Sequence, residues 1–491
     1  MQSLPSLLPY DQQLILSNTI SAAQHAARRC AYAAAIKHYR QAKALLLDLS
    51  DAPADQFFQI GLGLASALKF IGEFAEADQV LSELLQGVWV SNLALDPPSL
   101  SDVLVKSLAQ MADIRQHEGA FDQALAYLEV GRQVLGEAGE QSQPQLCLLL
   151  LDRKAWVRFR QGYLAEALSL ANAAIQSSRV IRAEDPDVLA SLHNTLGGIM
   201  WQQGNLAAAI THVEESLQLS GSLNDLRGMA VANGNLGILY FNSGNWAQAI
   251  HYYEQAYAVQ QVIGNWQGQA TSLDNLGLLH MAMGQHETAQ QELEAGLAIR
   301  RKLGDAWGTA QSQINLAHLA VTRSNFKDAS QYIESALSLA DSTGSFESQI
   351  EARWTQALIS LEKNDLLTAI EIAETALERA QAAGLMEKHA GCLRVMGVVN
   401  TRLDRYDEAE RALLSSVDFS EKQNAPYRRG QALLTLGQMY QLRSQLDSSS
   451  KRPWRTHAVS AFSRAAQLFE KLGATHDLNL AQTALNHLQG P

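Results

Sequence analysis

The glycines of GLGLAS, residues 61–66, have the spacing of a loop whose backbone N–H groups could cradle a phosphate. HETAQ, residues 286–290, opens like the helix of a zinc protease. Neither motif is completed. No strand precedes GLGLAS, and no second histidine follows His286 by four residues. None of the thirteen histidines pairs with another at i, i+4 or sits beside a cysteine. The three cysteines (Cys30, Cys147, Cys392) lack the paired spacing of a zinc or redox site, and no G-x-S-x-G or phosphate-loop motif occurs. The expectation is a non-enzyme with no metal and no cofactor. Amides carry what chemistry is left: Asn235, Asn275 and Asn315 recur at forty-residue steps. A side-chain amide both donates and accepts, so it can pair with a peptide unit.

That step belongs to a wider pattern. Alanine recurs at Ala209, Ala249, Ala289, Ala329, Ala369 and Ala409, and looser steps add Ala35, Ala77, Ala124, Ala167 and Ala458. Twelve residues before each of the first ten stands another small residue, such as Ala155, Gly197, Gly237, Gly277, Ala317 or Gly397. Gly437 continues that second column, 21 residues before Ala458. Two coupled columns of small residues imply two helices that touch where larger side chains would hold them apart. Large apolar residues flank both columns at helical spacing, as in Leu236, Leu239 and Tyr240, then Ile250, Tyr253 and Tyr257.

Boundaries follow the same period. Gly204, Gly244 and Gly284 mark the turn inside each hairpin; Gly264, Gly304, Gly344 and Gly384, with Asn224 and Asn424, mark its end. Asp225, Asn265, Asp305 or Ser345 then supplies an acceptor for the first free N–H groups of the next helix. Pro53, Pro97, Pro98, Pro144, Pro186 and Pro426 fall between hairpins, where no helical hydrogen bond is lost.

Small residues at the eighth and twentieth positions, a Leu-Gly pair before the first and an aromatic at the twenty-fourth resemble the tetratricopeptide repeat. The period of forty resembles a longer subclass, which includes Pins-type adaptors, kinesin light chains, bacterial peptide-sensing regulators and the sensor arrays of bacterial signalling ATPases. The resemblance implies an all-α, right-handed α-solenoid superhelix of about eleven hairpins plus a C-terminal capping helix. On this reading residues 1–180 hold about four less regular repeats and 181–443 the regular array. Residues 444–457 are an insertion, and 458–491 the last repeat helix with its cap.

The resemblance also implies a concave groove lined by the first helices. Position by position it places there Asn235, Asn275 and Asn315 at the sixth position, Asn194 at the fifth, and Trp201 and Phe241 at the twelfth. His318, Trp354, Asp274 and Arg394 complete the candidate set. Gly237, Ala249, Gly277 and Ala289 are packing positions. Cations paired in register, needed to clamp a chain terminus as some co-chaperones do, are not evident.

A formal charge of −12 argues against nucleic acid, which is met by a basic face. No uninterrupted apolar run reaches membrane-spanning length, and the amino terminus lacks the basic start of a signal peptide. The expected protein is cytoplasmic: a scaffold for protein–protein interaction that binds a peptide or partner segment in the groove. The alternative is a ligand or peptide sensor of a bacterial signalling system, acting on an effector in trans. The partner's identity and the oligomeric state are not written in the sequence.

Overall fold

The computed structural model describes residues 9–28, 31–47, 54–90, 97–117, 119–181, 186–343, 345–382, 386–446 and 454–489. Within them the chain forms 23 α-helices and no strand. The first four hairpins are α1 (Pro9–Arg28) with α2 (Tyr32–Leu47), α3 (Ala54–Phe70) with α4 (Phe74–Val90), α5 (Pro97–His117) with α6 (Phe121–Ser142), and α7 (Pro144–Arg160) with α8 (Leu164–Ile181). Next come α9 (Pro186–Gln202) with α10 (Leu206–Ser222), α11 (Leu226–Ser243) with α12 (Trp246–Val262), and α13 (Trp266–Ala282) with α14 (His286–Leu303). They are followed by α15 (Ala306–Thr322) with α16 (Phe326–Thr343), and α17 (Phe346–Glu362) with α18 (Leu366–Ala382). The last are α19 (Met386–Arg402) with α20 (Tyr406–Lys422), α21 (Pro426–Leu446) with α22 (Trp454–Leu472), and the lone α23 (Thr475–Gln489).

The small-residue columns do what their spacing requires. All eleven alanines of the first column are 0% exposed. A Cβ added at Gly277 would stand 2.7 Å from Leu293 and 3.2 Å from the carbonyl of Ala289; one at Gly237 would stand 2.4 Å from the Tyr253 ring. The two helices of a hairpin therefore cross at near-backbone contact, and any larger residue would wedge them apart.

Turns and caps follow the reading closely. Gly204, Gly244 and Gly284 take positive φ of 79°, 82° and 79°. Where the glycine is missing, Ser324, Asn364 and Asp404 occupy the same left-handed region at 56°, 58° and 57°. Asp225, Asp305 and Ser345 accept from the N–H of Gly228, Gly308 and Ser348 at 3.0, 2.8 and 3.3 Å. Proline opens α1, α5, α7, α9 and α21, where its missing N–H has no helical partner to lose. Gly344, Gly384 and Pro53 lie outside the described residues.

The contacts divide into two compact units. Unit one is Met1–Trp201, Ala207–Ala232 and Val259–Asn265; unit two is Gln202–Leu206, Asn233–Ala258 and Trp266–Pro491. In both, first helices touch the first helices of neighbouring hairpins (α3 with α5 with α7; α13 with α15, α17, α19 and α21 in turn). Second helices make no comparable row. The closer row is the inner layer, and it is the layer that can present a shared surface.

Two features of unit two go beyond the sequence reading. The α22–α23 turn reaches back to the α13–α14 turn, where Thr475 Oγ1 donates to the Met283 carbonyl at 2.7 Å. Asn424 Nδ2 likewise donates to the Gly204 carbonyl at 3.0 Å. The expected cap thus covers more than the last hairpin. The described ends of the expected insertion are helical: residues 444–446 finish α21, Trp454 opens α22, and residues 447–453 lie outside the described residues. Trp454 is 3% exposed, stacked on Tyr440 at 5.9 Å and capped by the Arg443 guanidinium at 4.2 Å.

Candidate functional site

The inner row of unit two encloses a cavity of about 370 Å³, lined chiefly by α13, α15, α17, α19 and α21 with Phe241 from α11. One part of its wall is apolar: Phe241, Leu278, Met281, Val321 and Leu358. The rest of the wall includes polar groups from four hairpins. Asn315 on α15 is 3% exposed and faces the cavity. One turn on, His318 Nε2 accepts from the Trp354 indole N–H at 3.2 Å and meets Thr355 Oγ1 at 2.7 Å.

An indole nitrogen only donates, so toward Trp354 the His318 Nε2 lone pair is the acceptor, a role that a neutral imidazole fills. Burial pushes the His318 pKa down, and Lys388 and Arg394 add to that against the pull of Glu351. Trp354 can lie flat against α19 because Gly391 has no side chain there; a Cβ would stand 2.5 Å from the ring. Lys388 Nζ pairs with Glu351 at 2.8 Å, and Gln311 donates to the same carboxylate at 3.3 Å.

Arg394 differs from its neighbours. It lines the cavity, yet among the described residues no hydrogen bond or ion pair holds its guanidinium. Burial lowers its pKa, with Asp477 and Tyr427 as the nearest influences in the other direction. A guanidinium stays charged under such a shift.

Unit one holds its own cavity, about 490 Å³, lined by α3, α5, α7, α9 and Arg227 of α11. Its wall is a chain of charges. Lys69 Nζ meets Asp113 at 2.5 Å, Arg153 Nε meets Asp113 at 3.2 Å, and Arg153 Nη1 meets Asp152 at 2.7 Å. Arg227 lies over the Phe70 ring at 3.7 Å. Burial raises the Asp152 carboxyl to about 6 against the pull of Arg153 and the Ser191 hydroxyl.

The sequence-read candidates separate accordingly. Phe241, Asn315, His318, Trp354 and Arg394 come together in the unit-two cavity, and Asn194 lines the cavity of unit one. Asn235 and Asn275 are half-buried and line neither; nor does Trp201. Asp274 needs a correction. It is 4% exposed, accepts from Arg300 at 2.9 and 3.2 Å and from Ser312 at 3.0 Å, and so ties α13 to α14 and α15. A buried carboxylate between an arginine and a hydroxyl is a packing device, because Arg300 reaches it from the second helix.

Some cavity residues were missed. Lys388, Tyr427 and Arg428 lie on the opening turns of α19 and α21, ahead of the positions a shorter repeat would number. Extra helix length in a forty-residue unit was the available signal. Lys69, Asp113 and Arg153 were missed because the first hairpins keep only loose spacing. His193 and His212, 19 residues apart on different helices, approach to 3.1 Å, which a search for i, i+4 pairs cannot find.

The tetratricopeptide-repeat model matches residues 187–262, 228–302 and 268–342. No curated protein shows significant sequence similarity to the chain. Among solved structures, a Rap protein complexed with Competence and Sporulation Factor superposes with a TM-score of 0.59 at 16% identity, over 77% of this chain and 99% of that one. The apo form of the quorum sensor NprR from B. thuringiensis gives 0.52 at 12% identity, over 75% of this chain and 99% of its own. Among the described residues no helix is long and apolar enough to cross a membrane. Residues 187–342 thus match tetratricopeptide repeats, the same two columns of small residues run through all eleven hairpins, and the chain shares its all-α fold with these solved structures.

Proposed function

We propose that the chain is a non-catalytic module that binds a short extended peptide in the unit-two cavity. The observation that carries this is Arg394, a cation without an ion pair among the described residues, in a cavity that also offers an amide and an apolar wall. A guanidinium pairs with a carboxylate through two parallel hydrogen bonds. Asn315 can donate to and accept from a peptide unit, and Phe241, Leu278 and Met281 take an apolar side chain. The peptide thus presents a carboxylate, from an acidic residue or its own terminus, about one side chain away from an apolar residue. The Rap protein complexed with Competence and Sporulation Factor gives the same fold holding a ligand of its own.

A library of random linear heptapeptides with free carboxyl termini, panned against the full chain, tests the proposal. Enriched peptides should share a carboxylate and an apolar residue. Arg394→Ala and Asn315→Ala should each weaken them by about tenfold or more. Equal binding by Arg394→Ala would sink the proposal.

A sensor role is the second reading, and the contact between the α22–α23 turn and the α13–α14 turn favours it. Both α13 and α21 wall the cavity, so a peptide drawing them together loads that contact. Hydrogen exchange around residues 283–285 should then change when peptide binds, and an unchanged rate returns the module to the role of a passive scaffold.

A further inference from the structure

A second constellation lies in unit one and lines neither cavity. His193 stands on α9, four residues before Gly197. At Gly197 the two helices nearly touch, for a Cβ there would be 2.4 Å from Val213 and 3.3 Å from the Ala209 carbonyl. That approach brings His193 against α10, where His212 and Glu215 share one face at i, i+3. His193 Nδ1 is 3.1 Å from His212 Nδ1 and 2.6 Å from Glu215 Oε2; the remaining side, His212 Nδ1 to Glu215 Oε2, is 3.7 Å.

Each of these three atoms can offer a lone pair to a cation, and all lie within 4.8 Å of one another. Without a cation, each close contact among them needs an N–H from one of the two imidazoles, which then gives up a lone pair. A cation would satisfy all three at once. A point about 2.0–2.1 Å from every one of them, the usual Zn–N and Zn–O distance, exists just off their plane. The side chain of His193 is 13% exposed and that of Glu215 is 49% exposed, so the ligands are anchored on the inner side and open to water on the outer. Two imidazoles and a carboxylate with an open fourth position form a common zinc ligand set; magnesium and calcium prefer all-oxygen shells.

We propose that His193, His212 and Glu215 form a site for one zinc ion that pins α9 to α10. The ion bridges consecutive helices at the opening hairpin of the regular array, so binding adds stability to that hairpin in proportion to metal concentration.

Tag-free full-length chain, stripped with chelator and titrated with Co²⁺ and then Zn²⁺, provides the test. One equivalent of Co²⁺ should give the visible absorption of a nitrogen–oxygen site, which Zn²⁺ then removes. Zn²⁺ should also raise the melting temperature. Glu215→Gln should weaken binding by more than about tenfold, and His193→Ala with His212→Ala should abolish it. Because Glu215 is half-exposed, its variant keeps the fold and serves as the control for the double histidine change. Equal Zn²⁺ affinity in wild type and Glu215→Gln, or no Co²⁺ signal in wild type, would leave the three residues as a hydrogen-bonded cluster and overturn the site.

Discussion

At the scale of residues, His318 decides how the unit-two cavity responds to acid. Its folded pKa lies below the ordinary value near 6.5. The unfolded chain therefore takes up a proton at this site more readily than the native one. The native state is favoured above that pH and loses stability as pH falls through about 6.5 and downward. Protonation also costs the Trp354 N–H its acceptor and adds a charge beside Lys388 and Arg394. The loss of melting temperature between about pH 7.5 and about pH 5.5 should be smaller for His318→Gln than for wild type. Identical losses would mean that His318 does not titrate against the fold. The amide column shows how far single positions were legible. Asn235, Asn275 and Asn315 occupy equivalent turns, but of the three only Asn315 lines the cavity. Spacing assigns a face; the neighbouring hairpins decide what that face meets.

Helices and their hairpins were the most legible level, since each is specified by contacts within its own forty residues. Gly277→Leu should destabilise by about 1–3 kcal/mol, measured as a lower urea midpoint. Leu293 can rotate away, but the Ala289 carbonyl 3.2 Å from the new Cβ cannot. Absence of a shift would mean that the helices cross elsewhere. Trp454→Ala should cost about 3–5 kcal/mol, because the indole is 3% exposed among Tyr440, Arg443 and the α22 core. A mild effect would return the tryptophan to the surface role its Ser-rich, basic surroundings suggest. Those surroundings obscured the anchor: the sequence shows polarity on both sides of Trp454, while the stack that buries it comes from the preceding helix. Asp274 was misjudged likewise, since Arg300 meets it from α14, 26 residues further along.

For the molecule as a whole, local rules stop being sufficient. Removing α23 should raise hydrogen exchange at residues 283–285, which are nearly two hundred residues away in sequence but bonded through Thr475. Protection unchanged at that turn would show that the contact carries no stability. The pairing of Thr475 with Met283, and of Asn424 with Gly204, has a separate consequence. Between such partners the chain must hold a fixed number of hairpins. Each interface between neighbours is built from the same small residues, so a unit could be lost or duplicated there with every local junction still fitting. The distant pairs would then be out of step by one hairpin. A repeat array alone tolerates any length, whereas these two hydrogen bonds give unit two a way of counting.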